Sequence, residues 1–173
     1  MENETETRYI PQDYKELEEE GTCGESCIVI LTKAPSVEGQ ANYQNQQYGH
    51  LWTNVGEMEE MLEMLHFETK RKRGNKAKSL PIPSTKEALI FIQWLDDEGK
   101  EYYWAEAQTH THWILMQKEE DGIWIWDNAF GWLKKEEWEK DGGLDNGYIR
   151  SYLELTRLPF TPYPKGQGFS GAI

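Results

Sequence analysis

The chain has 173 residues, 38% of them apolar, eight tryptophans and a net charge of −13. Size and composition fit one folded domain with a sizeable core and exclude a disordered chain. The acidic balance makes nucleic acid an unlikely partner over a broad face, and no apolar run approaches the ~18 residues of a membrane span.

In chain order, residues 1–20 read as an acidic lead-in that ends in Glu18-Glu19-Glu20, and Met1 to Glu6 carry no apolar core of a secretory signal. Residues 21–160 read as a single domain and 161–173, with two Pro and three Gly, as a flexible tail. From Cys27 to Thr32 local propensity assigns a buried strand, because β-branched and apolar residues run together. Residues 34–52, rich in Gln, Asn and Tyr, read as loop. Thr53 or Asn54 caps a helix with Met58, Met61, Leu62 and Leu65 at helical spacing, a stripe that belongs to a core rather than to a ligand surface. The basic run Lys70 to Lys78 reads as a solvated loop, with a nuclear address or a phosphate contact as alternatives.

Ser84-Thr85-Lys86-Glu87 forms a capping-box pattern and predicts a helix that buries Ala88, Leu89, Phe91, Ile92 and Leu95 and stops near Gly99. Strands follow at Tyr102 to Ala107, His112 to Met116, Ile123 to Trp126 and Tyr148 to Leu155, with a short helical turn over Lys134 to Lys140. The second and third of these are apolar on both faces and so belong inside a covered sheet. Helices first and an antiparallel sheet second make the class α+β.

The chemistry-bearing residues are Cys23, His112 and Asp127. A thiol, an imidazole and a carboxylate in that order supply a nucleophile, a proton carrier and the group that fixes the ring tautomer. The hairpin between the two apolar strands tests the pairing. A loop centred on Glu119 and Glu120 places His112 opposite Asp127, with paired residue numbers totalling 239. An Asp121-Gly122 turn would carry Asp127 four positions away. An even total of 240 would bring Asn128 opposite His112, and an amide also orients an imidazole. Asn128 is therefore the reserve orienter, and His110, two residues before His112, the reserve base.

Thr22-Cys23-Gly24-Glu25-Ser26-Cys27-Ile28-Val29-Ile30-Leu31 resembles the start of the central helix in bacterial double-glycine leader peptidases, within the papain-like cysteine peptidase superfamily. His112-Trp113-Ile114-Leu115-Met116 is similar to their His-aromatic-aliphatic strand. Trp124-Ile125-Trp126-Asp127 with Gly131 and Glu136-Glu137-Trp138 is similar to their strand, acid, glycine and short helix. The spacing from His112 to Asp127 also resembles that of picornaviral leader proteinases. The resemblance implies a papain-like fold in which Cys23 heads a helix, so helix rather than strand is the expectation there. It implies Cys23 as nucleophile, His112 as general acid/base, Asp127 as orienter, and an upstream amide beside the Cys23 N–H in the oxyanion site. The family places that amide five or six residues before the cysteine, where this chain has Leu17 and Glu18, which leaves Gln12 as the candidate.

The resulting expectation is a thiol peptidase acting on a protein or peptide through an acyl-thioester, with no cofactor, no membrane partner, and a cytoplasmic setting or delivery into a host cell without a signal. The same trio serves acyl transferases, deamidases and amidases. A different class is a zinc module built from Cys23, Cys27, His110 and His112.

Overall fold

The computed structural model describes residues 8–15, 22–49 and 53–159. The tail over 161–173 and most of the lead-in lie outside the described residues. Three helices precede the sheet: α1 (Cys23–Thr32), α2 (Val37–Tyr48) and α3 (Val55–Met64). Then come β1 (Phe67–Ala77), β2 (Glu87–Trp94), α4 (Trp104–Ala107), β3 (Thr111–Glu119), β4 (Gly122–Asp127), β5 (Gly131–Lys134), α5 (Lys135–Lys140) and β6 (Gly147–Arg157). The six strands form one antiparallel sheet in the order β1-β6-β2-β3-β4-β5, and the class is α+β.

Helix wins over strand in α1 because the segment is enclosed all round. Every residue from Gly24 to Leu31 is buried, and a helix apolar around its whole circumference belongs inside. α3 starts as its sequence predicts. Asn54 accepts from the Glu57 N–H, Glu57 returns the bond to the Asn54 N–H, and Met58, Met61 and Leu62 are buried.

Four expectations need correction. Residues 34–52 are not loop throughout: α2 is capped by Ser36 and closed by Gly49 at φ 77°, and it buries Val37, Ala41 and Gln44 at helical spacing within an otherwise polar composition. The basic run is not a loop but most of β1, where its cations stand on an edge strand paired with β6 from Phe67↔Arg157 to Arg73↔Ser151. The capping-box pattern at Ser84 starts no helix. Ala88 to Ile92 are apolar without a polar face, and such a run suits a strand covered on both sides. β2 is buried from Glu87 to Gln93 and pairs with β3 and β6 at once. Finally, Tyr102 to Ala107 is no strand; α4 occupies its second half and buries none of its residues. Sequence reasoning also missed β5, only four residues long.

The two sheet faces carry separate cores. Leu89, Phe91, Trp113, Leu115, Trp126, Leu153 and Leu155 face α1 and α3. Ala88, Ile90, Ile92, Ile114, Met116, Ile125 and Ile149 face the opposite side, where Trp138 of α5 packs. Among the described residues no helix is long and apolar enough to cross a membrane.

Candidate functional site

The first residue of α1, the start of β3 and the end of β4 converge at one end of the sheet. Cys23, His112, Asp127 and Asn128 line a common cleft of about 440 Å³ together with Trp94 and Phe130. Cys23 is partly exposed, whereas Cys27, one turn later, is fully buried and donates to the Trp113 carbonyl at 3.7 Å. Burial, followed by the charges of Cys23, Asp127 and Glu25, pushes the Cys27 thiol well up. The backbone N–H of Trp113 donates to the Cys23 sulfur at 3.4 Å.

His112 donates from Nε2 to Asp127 Oδ1 at 2.9 Å, which leaves Nδ1 for its hydrogen-bonding interaction with Cys23. Burial disfavours the imidazolium, but the Asp127 carboxylate, with the Cys23 contact, outweighs it and raises His112 to about 10. Burial also works against the Asp127 charge; His112, the Trp138 indole and the Ala129 N–H overcome it and hold the carboxyl below its ordinary value. Asp127 Oδ2 accepts from Trp138 Nε1 at 2.8 Å and Oδ1 from the Ala129 N–H at 2.9 Å. The Trp94 ring stacks on His112 with centroids 5.6 Å apart. A Cβ on Gly147 would lie 2.6 Å from that indole, so the glycine makes room for it.

None of the three registers considered from the sequence is the observed one. β3 and β4 join through a two-residue turn at Glu120 and Asp121, with Glu119 opposite Gly122 and Leu115 opposite Trp126. The paired numbers total 241, so Asp127 falls level with Ile114, and it reaches His112 diagonally. The total is odd, as the Asp127 pairing required, and the two side chains share a face. Asn128 lies in the turn beyond β4 and lines the cleft. His110 stacks on Tyr102 at 3.9 Å, bonds the Glu106 carbonyl and does not line the cleft. Gln12 is exposed in a turn, outside the cleft lining. The four residues of the zinc alternative do not assemble, and among the described residues no cluster of three metal-ligating side chains forms.

Behind the nucleophile lies a polar group that sequence reasoning missed. Glu25 and Gln44 are both 0% exposed, and Thr53 links them, donating to Glu25 Oε1 at 3.1 Å and accepting from Gln44 Nε2. Burial raises Glu25 to about 8, against the opposing hydrogen bonds from the backbone and Thr53. Its only signal in the sequence is a carboxylate inside an apolar helix.

A larger cavity of about 760 Å³ lies at the opposite end of β2 and β3. Its charges are largely paired with one another, as in Arg157 to Glu87 at 2.7 Å and Arg8 to Glu119 at 3.4 Å, and neither cysteine lines it.

No family model matches the chain, and no curated protein matches it. Among solved structures it is similar to the peptidase domain of Streptococcus ComA, a bifunctional ABC transporter involved in a quorum-sensing pathway. Identity is 13%, the TM-score is 0.45, and the alignment covers 80% of this chain and 93% of that one.

Proposed function

We propose that this protein is a papain-like cysteine peptidase with Cys23 as nucleophile, His112 as proton carrier and Asp127 as orienter. The observation that carries the proposal is the chain of contacts from Cys23 through His112 to a buried, doubly anchored Asp127. An imidazole raised to about 10 is protonated at neutral pH, so His112 enters the reaction as the proton donor. The helix N-terminus and the Trp113 N–H favour the negative sulfur.

In the first half-reaction the thiolate electron pair forms a bond to the scissile carbonyl carbon, and the π pair moves to oxygen. As the carbonyl re-forms, the C–N bond breaks, and His112 gives its Nδ1 proton to the departing amine. The acyl-thioester remains. Neutral His112 then takes a proton from water as hydroxide attacks, and collapse of the second intermediate releases the acid and restores the thiolate.

The test is exposure of the protein and a Cys23→Ala variant to a peptide library under reducing conditions. Turnover by the parent and none by the variant supports the proposal. Turnover that survives the substitution, or a Cys23 labelled no faster than Cys27, refutes it.

A further inference from the structure

Thr53 is buried where the nucleophile helix meets the strand that carries His112. Its hydroxyl donates to Glu25 Oε1 at 3.1 Å and accepts from Gln44 Nε2, and its carbonyl accepts from Trp113 Nε1 at 2.8 Å. Glu25 lies in the first turn of α1, two residues after Cys23, and Trp113 follows His112 in β3. Gly24 lets these groups close up: a Cβ there would lie 3.0 Å from Thr53 Oγ1 and 3.2 Å from Trp113 Cδ1. Trp113 in turn reaches the sulfur. Its N–H donates to Cys23 Sγ at 3.4 Å, its carbonyl accepts from Cys27 Sγ at 3.7 Å, and its ring packs on Phe91 with centroids 4.5 Å apart.

Stability alone does not account for this network. Glu25 Oε2 and Gln44 Oε1 are buried without a hydrogen-bond partner among the described residues. Such atoms carry a desolvation cost, and apolar side chains of the same shape would fill the space without it. What the polar groups supply is direction, because they tie the start of α1 to the ring of Trp113. Resting on the peptidase reading, we infer that Thr53 is a positioning residue for the nucleophile: holding Glu25 by its hydroxyl and Trp113 by its carbonyl, it keeps the Trp113 N–H aimed at the Cys23 sulfur.

The test is the rate of Cys23 labelling by iodoacetamide against pH, in the parent, Thr53→Val and Thr53→Ser. Valine keeps the shape and loses the hydroxyl, whereas serine keeps the hydroxyl. A hydrogen bond to a charged acceptor is strong enough that its loss moves an ionisation by about one pH unit. Thr53→Val should therefore shift the acid limb up by about one unit, with labelling about tenfold slower on that limb and close to the parent rate at the plateau. Thr53→Ser should keep the parent profile. A lower denaturant midpoint with an unmoved acid limb makes Thr53 a structural residue only and overturns the inference. So does a Thr53→Ser limb displaced as far as that of Thr53→Val. Should Thr53→Val not fold, Trp113→Phe, which deletes the indole donor, takes its place: the same upward shift supports the inference and an unmoved limb overturns it. If the parent Cys23 is labelled no faster than Cys27, the peptidase reading itself falls and takes this inference with it.

Discussion

Replacing Glu25 by Gln isolates the cost of a carboxyl sealed behind the nucleophile. The group is 0% exposed, hydrogen-bonded through one oxygen to Thr53, and raised by burial from 4.5 to about 8. Between those two pH values the folded protein holds a proton that the unfolded chain has lost. Stability therefore falls as pH rises through this window, being greatest below 4.5 and fully reduced above about 8. At 1.36 kcal/mol per pH unit, the whole window is worth about 5 kcal/mol as a ceiling. That is comparable to the total stability of a small domain, about 5–15 kcal/mol. Gln keeps an acceptor for Thr53 and never ionises. Denaturant midpoints of parent and Glu25→Gln at pH 5 and pH 9 give the difference directly, because the other titrating groups cancel between the two proteins. We expect near-equal stability at pH 5 and a variant more stable by several kcal/mol at pH 9. If both proteins lose the same stability between the two pH values, Glu25 is not held protonated and the sealed environment described for it is wrong.

Asp127→Asn removes the charge that raises His112, so the alkaline limb of Cys23 alkylation should move down from about 10 towards the ordinary imidazole range. A limb that stays in place would contradict the ion-pair account. Trp138→Phe takes away the donor to Asp127 Oδ2 and leaves a buried carboxylate oxygen unpaired. Loss of a hydrogen bond to a charged group should lower the unfolding free energy by about 1.5–3 kcal/mol, read as a lower denaturant midpoint at pH 7. Gly147→Ala puts a methyl group where the Trp94 ring stands and should slow Cys23 labelling by disturbing the stack over His112. Labelling at the parent rate would show that the stack has no part in holding the imidazole.

Residue identity and local pattern exposed the site more readily than the framework around it. Cys23, His112 and Asp127 were legible because each sits at an element boundary and because any odd hairpin register puts two of them on one face. The turn itself was not legible, since Glu120-Asp121 and Asp121-Gly122 compete on equal local terms and the neighbouring strands β2 and β5 decide. β2 was misread for the same reason. Ser84 to Glu87 satisfies a helix start locally, but the next five residues are apolar on both faces, and the sheet offers them two partners. α2 was hidden because only Val37, Ala41 and Gln44 of its twelve residues point inward. Glu25 showed only as a carboxylate within an apolar run, as its significance lies in the burial that folding brings.

The outermost strand carries a consequence for how copies of this molecule meet. Lys70, Arg71 and Arg73 stand exposed along β1, which has no further strand beside it among the described residues. Exposed edges of this kind are natural templates for a second sheet, and lysine is a common deterrent. Two molecules meeting edge to edge here would bring their cations into register, on a chain otherwise dominated by anions. Repulsion between those cations opposes such edge-to-edge pairing, and salt that screens it would weaken the barrier.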